Sequence, residues 1–204
     1  VSSTWKQIKA KNAINKTCVV GLSLGSILGG IAGDISFGWF YSRVGDDISV
    51  AAQMLLVIVS LIVSLILSSG RLQSRHLTGM PMMIGAGFGL GWLATVLGIG
   101  GGPINIACFL FLFGFGIRQA TIYSIVTIFF SQAAKIAQAL FSGSVLMIDP
   151  FLVVAIMVAA LFGGWLGAVI SNHITEKWIL MLYNLVIVFV LLLDIANLIS
   201  YLVK

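Results

Sequence analysis

Charge is what this chain is short of. Only 8% of its 204 residues are Asp, Glu, Lys or Arg, against 60% hydrophobic ones, where a soluble domain carries roughly 25% charged residues. No soluble core of this length is covered by so little polar surface, which excludes a water-soluble globular fold and leaves lipid as the solvent. Cysteine is scarce too. Cys18 and Cys108 stand far apart in apolar runs with no CxxC and no metal-ligand spacing, so both are expected to be packing residues. The two histidines, His76 and His173, fall between apolar runs without a second ligand nearby, so neither a metal nor a cofactor is expected. The net charge of +5 comes from scattered basic residues that form no patch interleaved with aromatics, which argues against nucleic acid as a partner. The opening segment VSSTWKQIKAKNAINK holds four lysines but no apolar h-region or cleavage site. It is read as a basic loop or interfacial helix at residues 1–16, with the natural chain expected to extend upstream.

Long apolar runs fill the rest. A hydrocarbon core about 30 Å thick needs roughly 20 apolar residues per helix, and seven stretches qualify or nearly do: Thr17 to Tyr41, Ile48 to Leu67, Met80 to Leu97, Ile104 to Phe115, Gln119 to Phe141, Pro150 to Ile170 and Trp178 to Val203. The fourth is too short to cross comfortably. With the sides alternating, Lys6, Lys9, Lys11, Lys16, Arg71, Arg75, Arg118 and Lys177 collect on one side and only Arg43 and Lys204 on the other. The positive-inside rule then places the amino-terminal tail in the cytoplasm and the carboxyl end outside. The expected fold is an all-α polytopic bundle.

LGGIAGD (Leu28 to Asp34) and FGGWLGA (Phe162 to Ala168) both read GGxxG late in a span, lead through a short polar turn, and precede a long aliphatic helix. By the charge count the two copies run in opposite directions. Close helix contact would explain either copy alone; the pair with inverted flanks points to the inverted-topology repeats of secondary transporters. Residues 17–78 are then the remainder of a first repeat and 79–204 the second, with about three segments of the first expected to be missing.

Within the second repeat, GIGGGP interrupts apolar sequence. Irregular backbone survives at membrane depth only where it is buried or lines a cavity. Pro103 suits the first turn of a new helix, and Gly98, Gly100, Gly101 and Gly102 leave its approach without side chains. A helix starting there would aim its positive dipole end and free N–H groups at an anion; a tight turn outside the membrane is the competing explanation. Asn105 follows in the new helix, and Ser124, Thr127, Ser131 and Lys135 recur at helical spacing in YSIVTIFFSQAAK. An ammonium inside a span needs a partner or a cavity, which makes Lys135 a candidate for charge compensation. Asp34 is a candidate proton carrier or a cap on its turn, and Asp194, near the outer end, a weaker one. A nucleotide loop would need a preceding strand and an intramembrane serine protease a histidine within a span; neither is present, so catalysis is not expected.

LGIGGGPINIACFLFLFGFGIRQATIYSIVTIFFSQAAKI resembles the second glycine-rich motif of the TauE/SafE family of sulfite exporters and organosulfur permeases, with Arg118, Ala120 and Ser124 in the pattern that follows the short helix. The likeness continues through LFGGWLGAVISNHITEKWILMLYNLVIVFVLLLDI. It implies a polytopic permease of the cytoplasmic membrane that moves small anionic sulfur or carboxylate compounds. Such members carry one glycine motif in each half, and this chain shows one. The expected substrate is sulfite or an organosulfonate, held by Gly100, Gly101, Gly102 and Asn105 with Ser124 and Thr127, while the helices around the GGxxG sites rock to alternate access. The alternative is a non-transporting membrane subunit derived from a permease. Membrane lipid and a small anion are the expected partners, with a homo-oligomer or larger membrane complex admitted.

Overall fold

The computed structural model describes residues 16–70, 73–98, 100–141 and 150–202. Among these residues there are seven helices and no strand: α1 (Lys16–Val44), α2 (Asp46–Ser68), α3 (Met80–Leu97), α4 (Gly102–Phe113), α5 (Ile117–Phe141), α6 (Pro150–His173) and α7 (Glu176–Leu202). Six are long and apolar enough to cross a membrane, and α4 is a shorter apolar helix. Each lies on one of the seven apolar runs, because a backbone in lipid must satisfy its own hydrogen bonds and a helix does so within one segment. The basic residues before position 16, Arg71, Lys204 and residues 142–149 lie outside the described residues.

Contacts between the helix ends fix the directions. Arg75 N–H and Leu77 N–H donate to the Phe111 and Leu112 carbonyls at 2.9 and 2.8 Å, so the α2–α3 loop and the carboxyl end of α4 share one end of the bundle. Arg118 at the start of α5 donates to the Ile174 carbonyl in the α6–α7 turn, which brings those termini to the same end. At the opposite end the Tyr201 hydroxyl donates to an Asp47 carboxylate oxygen at 2.9 Å. Lys16, Arg75, Arg118 and Lys177 therefore gather at one end, called here the basic end, and Arg43 lies at the far end. The two GGxxG copies, on α1 and α6, run in opposite directions.

α1 is the centre of the bundle. Gly21, Gly25, Gly29 and Gly33 recur every four residues along it, and α3 answers with Met83, Gly87, Gly91 and Thr95 in parallel register. A Cβ on Gly25 would stand 2.1 Å from the Ile84 carbonyl oxygen, and one on Gly29 2.0 Å from that of Phe88. Hydrophobicity gives no net drive between helices in lipid; close backbone approach supplies dispersion contact instead. On its other side α1 meets α5, where a Cβ on Gly30 would lie 3.0 Å from the Ser131 carbonyl oxygen. Two apolar clusters fill the bundle around this spine. Leu22, Met83, Leu90, Phe109, Phe113 and Tyr123 join α1, α3, α4 and α5; Val57, Leu61, Leu97, Ile104 and Ile187 join α2, α4 and α7 to the end of α3.

Two findings modify the repeat. α1 does not turn at Asp34 but continues ten residues to Val44; the carboxylate faces Lys135 at 4.0 Å, and the chain turns only at Gly45, whose φ is +83°. The second copy is not packed as the first is. A Cβ on Gly163, Gly164 or Gly167 would meet nothing within 4 Å, and most of α6 is exposed.

Candidate functional site

α3 ends where three glycines take the left-handed conformation. Gly98, Gly100 and Gly101 have φ of +71°, +76° and +64°, a region that costs other L-residues roughly 1–2 kcal/mol each. The chain reverses there, and α4 starts at Gly102 with Pro103 in its first turn. Its first rung is Asn105 N–H to the Gly101 carbonyl at 2.9 Å. The amides of Gly102 and Ile104 precede that ladder and have no intrahelical acceptor, leaving a positive dipole end at the break.

The break is inside the bundle. α4 descends twelve residues to the basic end, about 18 Å, so its amino terminus stands well within a core about 30 Å thick. Its neighbours agree. Gly102 lies against Ile128, near the middle of α5, and the Gln53 side chain that meets Gly98 stands about 10 Å below the far end of α2. The break thus lies beside the middle of α5 and within the length of α2, not beyond the helix ends.

Asn105 is the unusual side chain here. It is fully buried, and neither its carboxamide nitrogen nor its oxygen has a hydrogen-bond partner among the described residues. A buried polar atom without a partner costs roughly 1–3 kcal/mol, so holding both atoms of one amide in this state is a substantial expense to the fold. The amide is aimed at the break: its oxygen would lie 3.2 Å from a Cβ on Gly101. Glycine at 101 therefore serves twice, for its φ and because a Cβ there would press on Ala94 at 3.1 Å as well as on Asn105.

Two side chains that sequence reasoning missed hold the break from outside. Gln53 of α2 donates from Nε2 to the Val96 carbonyl at 2.9 Å, satisfying one of the acceptors freed where α3 ends. Tyr183 of α7 donates its hydroxyl to the Pro103 carbonyl at 2.6 Å. Either polar residue in an otherwise apolar span is a signal that could have been pursued, although nothing in the sequence names its partner. The lower end of α4 is fixed as well. The 73–78 loop caps its last carbonyls, and the His76 ring occupies the place where a Cβ on Gly114 would stand, within 2.3 Å of His76 Cε1.

The other expected site residues divide. Ser124 reaches the break, its Oγ 3.5 Å from the Gly102 carbonyl oxygen, a weak contact. Thr127 and Ser131 are fully buried on the same face but give their hydroxyl protons to the Tyr123 and Ile128 carbonyls at 2.9 and 3.1 Å. Lys135 is not at the break. It lies eleven residues beyond Ser124 on α5, about 16 Å along the axis, and pairs with Asp34. Asp194 has one carboxylate oxygen buried without a partner among the described residues. His76 and His173 bond Ser74 and the Val169 carbonyl, and no group of three metal-ligating side chains occurs among the described residues.

The family described as sulfite exporter TauE/SafE matches residues 1–193. The chain belongs to the TauE/SafE family. It is 31% identical over 107 residues to the probable membrane transporter protein YunE of Bacillus subtilis (strain 168), a match that covers 52% of this chain and 38% of that protein. The aligned part thus spans less than half of the relative's length. No solved structure matches the chain significantly. As a TauE/SafE protein with six helices among the described residues long and apolar enough to cross a membrane, it is a multi-pass membrane protein of a transporter family.

Proposed function

We propose that this TauE/SafE protein is a permease that carries a small anion across the cytoplasmic membrane by alternating access, with sulfite or an organosulfonate as the favoured substrate and no catalytic step. One observation carries the reading: the buried carboxamide of Asn105, without a partner among the described residues and lying beside the amino terminus of its own helix. The first-turn amides of α4 are donors to an anion, the Asn105 carboxamide joins them once it turns its N–H₂ group in place of its oxygen towards the break, and Gly98, Gly100, Gly101 and Gly102 let the anion approach backbone directly. Pro103 adds no competing N–H, and Ser124 lies beside the helix start. Thr127 joins by rotating its hydroxyl away from its own helix. Burial makes the same donors stronger than they would be in water. The basic end is assigned to the cytoplasm on the positive-inside rule, with the carboxyl end outside.

Reconstituted protein tests this directly. Saturable flux of sulfite or 2-hydroxyethanesulfonate into proteoliposomes is the expected result, and Asn105→Ala should reduce it at least about tenfold, the loss of one charge-assisted bond in a buried site. Absence of saturable flux for both anions, together with no anion-dependent thermal stabilisation of the purified protein, would overturn the reading. Stabilisation without flux would favour a binding subunit that does not transport, a reading in keeping with the bare GGxxG face of α6.

A further inference from the structure

Asp34 and Lys135 lie far apart in the sequence, yet the structure makes them neighbours. Their charged groups stand 4.0 Å apart, and each side chain is 41% exposed. The contact is part of a register. One helical turn nearer the basic end, the same two helices touch through backbone at Gly30 and Ser131, so α1 and α5 run parallel and close, with the ion pair where their seam opens towards the far end. The buried face of α5 beneath the pair carries Ser131, Thr127 and Ser124 in turn, and Ser124 touches the start of α4. Hydroxyls thus recur along this face of α5 from the Asn105 break up to one lysine and one aspartate, those of Thr127 and Ser131 bonded to carbonyls of their own helix. On the other side of the seam α1 is fastened to α3 by the Trp92 indole N–H, which donates to Ser36 Oγ at 2.9 Å. Beyond these two links, a Cβ on Gly38 would meet nothing within 4 Å.

We propose that Asp34 and Lys135 form a charge-selective mouth at the far end of the α1–α5 seam, in which an arriving small anion replaces the Asp34 carboxylate as the counter-ion of Lys135 before it passes down the hydroxyl face. The proposal rests on the permease reading, since a mouth requires a path behind it. The selectivity comes from what lies behind the pair: an anion that replaces Asp34 beside Lys135 is drawn on towards the positive helix end at the foot of the hydroxyl face, whereas a cation that replaces Lys135 beside Asp34 is repelled by that end. Asp34 keeps the mouth neutral and shut between passages. Because α1 and α5 are in close backbone approach just beneath the pair, passage requires the seam to part there as well as at the pair.

The test is the entry of charged thiol reagents. In full-length protein with Cys18→Ala and Cys108→Ala, a single Ser131→Cys is labelled in vesicles from the far side with either an anionic ethylsulfonate or a cationic trimethylammonium methanethiosulfonate. Asp34→Asn, which leaves Lys135 unpaired, is expected to raise the ratio of anionic to cationic labelling about fivefold, on the scale of one half-exposed ion pair. Lys135→Gln is expected to lower that ratio by a similar factor, and the exchange Asp34→Lys with Lys135→Asp to bring it back towards the starting value. Equal changes with both reagents, or none, would overturn the mouth, because a merely structural pair loosens the seam without regard to charge. If a single variant does not assemble, the double exchange decides: labelling well above the parent's with both reagents counts against the proposal. Anion-dependent thermal stabilisation read on Asn105→Ala is independent of labelling, so the mouth and the inner site fail separately.

Discussion

At the residue scale, Asn105 sets stability against function. An amide with both polar atoms buried and unpartnered weakens the fold, so Asn105→Leu, close in shape and without polar atoms, should fold at least as stably as the parent; each orphaned atom is worth roughly 1–3 kcal/mol. The same variant should lose anion-dependent stabilisation altogether. Thermal melts in detergent with and without sulfite read both effects, and a melting point well below the parent's would mean that the amide has a structural partner after all. Tyr183 differs. Its hydroxyl donates to a carbonyl within α4, so Tyr183→Phe should cost about 1 kcal/mol, the usual net value of a hydrogen bond, while lowering flux more than binding because it loosens the half-helix without removing a donor to the anion.

At the element scale, two copies of one motif meet different fates, and a pair of substitutions separates them. Gly29→Ala drives a methyl to within 2.0 Å of the Phe88 carbonyl oxygen, and the α1–α3 contact should weaken by about 1–3 kcal/mol, the usual penalty of overpacking. Gly163→Ala, on a face with nothing within 4 Å, should cost nothing and gain up to about 1 kcal/mol of helix propensity. Denaturation in mixed micelles measures both, and a loss at Gly163 equal to that at Gly29 would show α6 packed in the membrane. Much of this level was legible in the sequence. The apolar runs gave the spans because lipid admits little else, and GIGGGP gave the break because several glycines and a proline cannot continue a helix. The partners were not legible. Gln53 and Tyr183 come from helices remote in sequence, and Asp34 meets Lys135 only because a glycine ladder sets how far α1 slides against its neighbours. A single segment carries no record of that register. For the same reason Asp34 read as a cap on a turn, when α1 continues past it.

At the scale of the whole molecule, sidedness is the quantity to measure. A single cysteine at Ser74, in the loop at the basic end, should react with impermeant reagents in inverted vesicles and not in intact cells. One at Gly45, at the far end, should do the reverse. The opposite pattern would invert the assigned topology. The loop bearing Ser74 matters for a further reason. Its backbone is stitched to the last carbonyls of α4, and its histidine is wedged over Gly114, so the short helix ends in a handle that water can touch on one side of the bilayer while its other tip stands deep in the bundle. A rigid rod of twelve residues transmits displacement with little loss. A displacement of that loop would therefore shift the inner tip as a lever shifts its load.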